Sequence, residues 1–306
     1  MSAGIQVALL TVAVGDVASP ENPGSFATTT KSVVVGVARD VEVDTDVYLP
    51  IGEGPFPVAV LRHGYLTLPE TLGDFGPHLA SHGILTLVPE RRNYFDDDPL
   101  VEAEDLLAVL DWALAQNVLP GALLHGKVDS RLQAVGGFSS GGLAALIAAA
   151  RRPDLSGLLL LDHEGSPLGD KTAGSVMVPT AALFADPGWC NEFGGGVSAF
   201  RRLAGPRFGL HIQKSSHCDA QLAHSFLCGI ACGGVTEIAE AAFRRYATAF
   251  LLAYLRCEPS AWAFLTERAA FDGAVSVLPE TRGIAVPERC LSSHPSVPTN
   301  LLPQVR

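Results

Sequence analysis

Charged residues are scarce in this chain of 306 residues, and the shortage is greater on the basic side. They make up 17% of the sequence, whereas 48% is hydrophobic, so the chain buries extensive apolar surface and is not disordered throughout. The formal net charge is −11 and no basic run exceeds an Arg-Arg pair. Counterion release, which drives nucleic-acid binding, therefore has no source. We expect a globular protein with no nucleic-acid partner.

Long hydrophobic runs are also missing. The apolar stretches at residues 143–150 and 158–161 fall far short of the roughly 20 residues that a membrane helix needs, so we expect a soluble protein without a membrane span. Residues 5–18 are apolar and end in small residues, but no basic segment precedes them. They fit a degraded export signal or an ordinary first strand equally well, so the compartment, cytoplasmic or exported, stays open.

Cysteine is too sparse for a disulfide scaffold. The chain has six cysteines and no C-x-x-C pair, which disfavours a structural zinc site. Four of them lie in the region that we assign to the site below: Cys190, Cys218, Cys228 and Cys232. One or two bridges there are reasonable in an exported protein, but we favour free buried thiols.

Two nucleotide-binding motifs are absent or incomplete. No G-x-G-x-x-G follows the first buried strand, which argues against a nicotinamide enzyme. Residues 121–127 resemble a P-loop, but Val128 stands where a Ser or Thr must reach the magnesium ion. We reject that match.

The domain organisation is simple, because no repeat or composition break divides the chain. We predict a single domain over residues 1–306 with a core at about 32–258, a flexible N-terminal segment (1–31) and a flexible C-terminal tail (279–306).

Strand and helix patterns mostly alternate. Period-two alternation predicts a hairpin at residues 32–47, and short apolar runs predict buried strands at 58–61, 84–88, 132–135, 158–161, 178–184 and 208–212. Helical spacing predicts helices at 71–81, 101–116, 141–151 and 235–255. This order predicts an α/β fold with a mostly parallel central sheet and helices on both faces.

The turn at residues 136–142 carries the strongest chemical signal. It contains G-x-S-x-G centred on Ser139, directly after a predicted strand and before a predicted helix. Such a turn is strained and crowded, so the positions two residues either side must lack a Cβ, as Gly137 and Gly141 do. The turn aims the Ser139 hydroxyl at the carboxyl edge of the sheet, where the Ser140 N–H can stabilise an oxyanion. We predict that Ser139 is a nucleophile.

A serine nucleophile needs a histidine base, and the histidine needs a carboxylate. Where the serine occupies such a turn, both follow it along the chain. His217 lies in the loop after the last predicted buried strand, where a base can reach the serine, and we favour it over His224.

Two aspartates compete for the role of the acid. Asp162 ends the strand that follows the nucleophile, and Asp186 ends the next strand. The position of Asp186 is the more usual one in enzymes whose serine occupies such a turn. A buried carboxylate at the end of four leucines, however, costs folding free energy unless it is paired or serves a site. We favour Asp162 over Asp186, with Glu164 or Glu192 as further alternatives.

The second oxyanion donor should come from the loop after the first buried strand. Gly64 lets the backbone approach, so we assign the Tyr65 N–H as the partner of the Ser140 N–H. Tyr65, Phe138 and Trp189 are candidate walls of an apolar substrate pocket. No long insertion separates residues 158–161 from 178–184, so we expect no large lid.

These residues resemble the α/β hydrolase superfamily, and more narrowly the chlorophyllase and dienelactone-hydrolase-like group that includes bacterial cutinase-like polyesterases. The resemblance covers about residues 47–255 and rests on PVAVLRHGY (57–65), LASHGIL (79–85), VDSR (128–131), GFSSGG (137–142) and SHCD (216–219). Leu161-Asp162-His163 resembles the Leu-Asp-Pro turn in which chlorophyllase-like members carry their acid, with His in place of Pro. Ser139 departs from the cysteine nucleophile of dienelactone hydrolases proper.

The resemblance implies a serine carboxylic ester hydrolase that acts through an acyl-enzyme on short-chain, aromatic or polymeric esters. It implies no metal and no organic cofactor, and we interpret Asp96-Asp97-Asp98 as a solvated loop and Asp219 as the flank of the base rather than as metal ligands. One alternative is a phospholipase-like or acetylhydrolase-like lipid esterase. Another is a non-catalytic binding protein with an α/β-hydrolase fold. The ester and the oligomeric state stay open.

Overall fold

The computed structural model describes residues 19–67, 69–93, 95, 98–222 and 226–293. The apolar stretch at residues 5–18 and the alternative base His224 lie outside the described residues. Among the described residues, no helix combines the length and the apolar character that crossing a bilayer requires.

A nine-stranded sheet forms the centre of the fold, in the order β1-β2-β4-β3-β5-β6-β7-β8-β9. The strands β4, β3, β5, β6, β7 and β8 pair in parallel, whereas β1, β2 and β9 pair antiparallel at the two edges. The strand bounds are β1 Thr28–Ala38, β2 Val41–Pro50, β3 Phe56–Arg62, β4 Leu85–Pro89, β5 Val128–Phe138, β6 Gly157–Leu161, β7 Thr180–Phe184, β8 Arg207–Ile212 and β9 Val275–Val277.

Helices cover both faces of the sheet. Their bounds are α1 Phe75–Ser81, α2 Pro99–Val118, α3 Ser140–Arg151, α4 Pro167–Ala173, α5 Gly196–Arg202, α6 Phe226–Cys232, α7 Glu237–Leu255, α8 Pro259–Thr266 and α9 Glu288–Ser293. Side chains of α2, α3, α4 and α5 pack in one apolar cluster, and those of α1, α7 and α8 pack in the cluster on the opposite face. This arrangement confirms the predicted α/β-hydrolase fold class.

Strand β6 shows why its sequence is a run of leucines. Leu158 and Leu160 join the cluster under α2 to α5, whereas Leu159 and Leu161 join the cluster under α7. Because both faces are covered, every position of the strand is buried. Burial of each leucine stabilises the fold by about 1.5–3 kcal/mol.

Residues 19–31 differ from the flexible segment predicted for them. Residues 28–31 begin β1, and the His78 ring donates from Nε2 to the Pro20 carbonyl over 2.9 Å. The Gly24 N–H donates to Ser81 Oγ over 2.8 Å, and Phe26 packs edge-to-face on Phe56. Contacts of this kind leave no periodic pattern in the sequence, so they cannot be predicted for a segment that is rich in Pro and Gly.

The first part of the predicted C-terminal tail is also tied to the fold. Arg282 exchanges backbone hydrogen bonds with Arg207, over 2.8 and 2.9 Å. A disulfide joins Cys257, which follows the C-cap of α7, to Cys290 in α9.

All six cysteines form disulfides, so the expectation of free thiols was wrong. The pairs are Cys190–Cys232, Cys218–Cys228 and Cys257–Cys290, with Cα–Cα distances of 5.5, 5.8 and 5.2 Å. These distances lie within the range that a bridge requires, but spacing along the chain does not reveal them. The sulfurs of Cys218, Cys228 and Cys232 lie within 4.8 Å of one another, yet as disulfides they offer no thiolate to a metal.

Candidate active site

Ser139 occupies the tight turn between β5 and α3. Its backbone has φ 56° and ψ −126°, a strained conformation for a residue with a side chain. The Ser139 N–H donates to the Leu161 carbonyl of β6 over 3.1 Å and holds the turn against the neighbouring strand. A Cβ on Gly137 would lie 2.3 Å from the Gly141 carbonyl oxygen, and one on Gly141 would lie 2.4 Å from the His63 carbonyl oxygen. The predicted need for glycine at both positions is confirmed.

The structure brings Ser139, His217 and Asp162 together in one hydrogen-bonded chain. His217 Nε2 lies 3.0 Å from Ser139 Oγ, and His217 Nδ1 lies 2.6 Å from Asp162 Oδ2. The carboxylate can only accept, so Nδ1 carries the proton and Nε2 is free to accept the serine proton. The three residues follow strands β5, β8 and β6 at the carboxyl edge of the sheet.

Asp162 is almost completely buried, with 1% of its surface exposed. Besides His217, its carboxylate has two further hydrogen-bond partners. Oδ1 accepts from the Ala185 N–H, and Oδ2 accepts from Asn191 Nδ2, both over 3.0 Å. Sequence reasoning did not identify Asn191, because a single asparagine in a loop carries no pattern that separates it from a turn residue.

The alternative acids have other partners. Asp186 Oδ1 lies 2.7 Å from His211 Nε2, on neighbouring strand ends. Glu192 Oε2 accepts from the Gly165 N–H over 2.8 Å. The Nδ1 proton of His217 is shared with Asp162 and not with Asp186 or Glu192.

The loop after β3 approaches the serine closely. A Cβ on Gly64 would lie 2.9 Å from the Phe138 ring and 3.1 Å from Ser139 Cβ, so the backbone that leads into the Tyr65 amide runs beside the serine. Thr67 Oγ1 donates to the Gly64 carbonyl over 2.8 Å and closes the turn. Ser140 is the first residue of α3, so its N–H has no acceptor within the helix.

Phe138 and Trp189 occupy very different places. Phe138 is 1% exposed, and its ring centroid lies 4.5 Å from that of His217, so it packs beside the imidazole and presents little surface to solvent. Trp189 is 79% exposed, in the 3₁₀ helix after β7 that ends at Asn191. The Tyr65 ring is half-exposed, with the Arg91 guanidinium 5.4 Å from its centroid.

Two other histidines near the site are enclosed and neutral. Burial lowers the pKa of His63 to about 3 and that of His163 to about 4. Both side chains are therefore uncharged at neutral pH, and neither contacts Ser139 by a hydrogen bond among the described residues.

Asp219 stabilises the loop that carries His217. Its two carboxylate oxygens accept from the N–H groups of Ser216 and Thr236, over 2.5 and 2.7 Å. A carboxylate engaged in this way is part of the loop structure, in line with its interpretation as the flank of the base.

The segment between β6 and β7 contains only α4, a helix of 7 residues. A cavity of about 430 Å³ lies elsewhere, between the segment that includes Phe26 and the residues of α8, at the amino edge of the sheet. It has no part in the arrangement around Ser139.

The sequence was compared with known protein families and curated proteins. The model of the PETase family, described as PET hydrolase-like, matches residues 17–186, more than half of the chain. Lipase 1 of Moraxella sp. (strain TA144) is 30% identical over 50% of this chain and 46% of its own. Chlorophyllase-2 of Arabidopsis thaliana is 29% identical over 34% of this chain and 32% of its own. The bis(hydroxyethyl) terephthalate hydrolase of Streptomyces coelicolor is 29% identical over 46% of this chain and 43% of its own. The chain thus spans less than half the length of each of these relatives.

Proposed function

This chain belongs to the PET hydrolase-like family, and from that membership we propose that it is a serine ester hydrolase. Ser139 is the nucleophile, His217 the base and Asp162 the residue that orients the base. The observation that carries the proposal is the unbroken hydrogen-bonded chain from Ser139 Oγ through His217 to Asp162. A protein that only binds its ligand has no need of this alignment.

The reaction proceeds in two halves. In the first, Ser139 Oγ attacks the ester carbonyl while His217 Nε2 takes its proton, and the N–H groups of Tyr65 and Ser140 stabilise the oxyanion. The tetrahedral intermediate collapses, the C–O bond of the ester breaks and His217 returns the proton to the departing alcohol. In the second, His217 takes a proton from water, the hydroxide attacks the acyl-enzyme, and the acid leaves as Ser139 recovers its proton.

Short-chain, aromatic and polymeric esters are the proposed substrates. The loops that follow β3 and β7 each carry an exposed aromatic side chain, Tyr65 and Trp189, on which an aromatic or polymeric ester can pack. The bis(hydroxyethyl) terephthalate hydrolase among the relatives supports an aromatic acyl group. The second candidate, a lipid esterase, is favoured by the similarity to Lipase 1.

A fluorophosphonate, which labels activated serines, tests the mechanism. We expect a single adduct and turnover of p-nitrophenyl butyrate with the parent protein, and neither with Ser139→Ala. A folded parent that gives neither would refute the proposal and favour the binding-protein alternative.

A substrate panel tests the substrate class. We expect bis(hydroxyethyl) terephthalate to be hydrolysed faster than a short-chain phospholipid, and the reverse order favours the lipid esterase. Trp189→Ala should slow hydrolysis of a polyester film by about fivefold, roughly 1 kcal/mol, and leave the soluble ester unaffected. Phe271→Ala is the matched control, because Phe271 is an exposed aromatic residue outside the site loops.

We also propose that the protein works in an oxidising compartment. The support is the pairing of all six cysteines, since disulfides persist in such compartments and are rare in the cytosol. Alkylation of the protein in denaturant without a reductant, followed by intact-mass measurement, should add no label, and six labels would refute this placement.

A further inference from the structure

Asn191 is almost completely buried in the loop after β7, with 2% of its surface exposed. It ends a 3₁₀ helix, Trp189–Asn191. The side-chain nitrogen Nδ2 donates to Asp162 Oδ2 and to the Asp186 carbonyl, each over 3.0 Å. The side-chain oxygen Oδ1 accepts from the N–H groups of Gly188 and Gly194, over 2.8 and 3.2 Å. These four bonds use the whole hydrogen-bonding capacity of an asparagine amide.

The two backbone donors determine which way this amide faces. Only an oxygen can accept from the N–H groups of Gly188 and Gly194, so the nitrogen must point at Asp162 and the Asp186 carbonyl. Nδ2 therefore donates to the same oxygen, Oδ2, that accepts from His217 Nδ1. The other carboxylate oxygen accepts from the Ala185 N–H.

We propose that Asn191 is a positioning residue for the active site. It acts through Asp162 and touches neither Ser139 nor the substrate. The amide holds Oδ2 at the place where it meets His217 Nδ1, and it stabilises the ionised carboxylate without adding charge. This inference rests on the proposed function, since it assigns Asn191 to the proton relay of that reaction.

The loop around Asn191 is anchored on both sides. Cys190, the preceding residue, is bridged to Cys232 at the end of α6, and Glu192, the following residue, accepts from the Gly165 N–H. These ties leave the amide little freedom to withdraw from Asp162. Side-chain precision of this kind is what a catalytic carboxylate requires.

The titratable groups around the pair come from several elements. They include Glu192 in the same loop as Asn191, His63 after β3, His163 and Glu164 after β6, Asp186 after β7, His211 in β8 and Asp219 after His217. His63 and His163 are neutral because burial lowers the pKa of each. None of these groups is altered by a substitution at position 191, so a change in the pH profile reports on the Asn191 contact.

Two near-isosteric variants test the proposal. Asn191→Leu removes the donor, and we expect kcat for p-nitrophenyl butyrate to fall by about 10- to 100-fold while KM changes less than twofold. Asn191→Asp keeps the acceptor for Gly188 and Gly194. Its introduced carboxyl group can donate to Asp162 only when protonated, because two carboxylates at hydrogen-bond distance cannot both ionise freely. We therefore compare the two proteins at the same pH. The ratio of the Asn191→Asp kcat to the parental kcat should approach one at low pH and should fall as the pH rises.

Ser215→Ala is the matched control. The Ser215 hydroxyl accepts from the Asp186 N–H and donates to the Ile212 carbonyl, over 3.2 and 2.7 Å. It anchors the same loop without contacting Asp162, so its loss should lower the melting temperature and leave the shape of the pH profile unchanged.

The outcomes are distinguishable. Folded Asn191 variants with the parental kcat and pH profile overturn the proposal. A second outcome also overturns it. If Asn191→Leu and Ser215→Ala lower the melting temperature equally and also lower kcat equally, the role of Asn191 is structural. If Asn191→Leu does not fold, the pH profile of Asn191→Asp decides alone. A parent that neither reacts with a fluorophosphonate nor turns over refutes the proposed function itself, and the inference with it.

Discussion

Asp186 Oδ1 lies 2.7 Å from His211 Nε2, at the ends of the neighbouring strands β7 and β8. The second candidate acid is therefore engaged with a histidine other than the proposed base. Both members of this pair are partly exposed, whereas Asp162 and His217 are buried. The two strand-end aspartates thus differ in partner and in environment.

The first prediction compares these two aspartates. Asp162→Asn should lower kcat by about 10³- to 10⁴-fold, because the amide no longer selects the correct tautomer of His217. Asp186→Asn should stay within about threefold of the parent, since an exposed pair contributes little. Steady-state kinetics on p-nitrophenyl butyrate decides, and the opposite ranking would make Asp186 the acid.

The second prediction concerns the loop that is proposed to donate to the oxyanion. Gly64→Ala places a Cβ 2.9 Å from the Phe138 ring and 3.1 Å from Ser139 Cβ, so the loop must move away. We expect kcat to fall by about 10²-fold, as when one oxyanion donor is lost. Gly174→Ala is the control, because a Cβ there meets nothing within 4 Å. Equal kcat in both variants would mean that the Tyr65 amide has no part in the reaction.

The third prediction separates two disulfides by their readouts. Replacing Cys190 and Cys232 by Ser frees a loop with a sequence separation of 42, which should cost about 4 kcal/mol of stability. It should also lower the kcat that is measured at temperatures well below the melting temperature, because this bridge adjoins Asn191. Replacing Cys257 and Cys290, with a separation of 33, should cost a similar free energy while kcat at 25 °C is retained. If kcat falls equally in both, the effect is one of global stability.

The fourth prediction concerns acid stability. Burial lowers the pKa of His163 from 6.5 to about 4. Below pH 6.5 the unfolded chain therefore binds a proton that the folded protein does not, and stability falls as the pH decreases towards 4. His163→Leu should reduce the slope of unfolding free energy against pH in this window by at most about 1.4 kcal/mol per pH unit.

Urea titrations between pH 4 and pH 6.5 measure that slope. The control is His125→Gln, whose side chain is exposed and should leave the slope unchanged. A slope that is identical in His163→Leu and the parent would show that His163 does not titrate in this way.

The sequence predicted the core strands well, because a parallel strand covered on both faces must be apolar at every position, as β6 is. It also predicted the turn at Ser139, since few residues besides glycine fit at positions 137 and 141. The short edge strand β9 was missed because three residues are too few to show a period. The disulfides were missed because a bridge depends on distances that only the folded chain defines.

Asn191 could not be predicted for a related reason. Three of its four partners lie in its own loop, but the fourth, Asp162, lies after another strand, and nothing in the sequence around Asn191 indicates that contact. Phe138 shows the same limit. An aromatic residue beside the nucleophile suggests a pocket wall, and only the folded structure shows that its ring is buried against the His217 ring.

Trp189 and Asn191 belong to one turn of 3₁₀ helix, with the indole in solvent and the amide buried against Asp162. Inserting or deleting one residue in this turn would rotate both side chains by about 120° and remove each from its place. If Trp189 and Asn191 have the proposed roles, such a change should alter substrate preference and turnover together. Directed evolution of this loop should therefore yield variants at position 189 that change polyester hydrolysis while kcat on soluble esters is kept, whereas loops grafted without an asparagine two residues further on should lose kcat by about 10- to 100-fold.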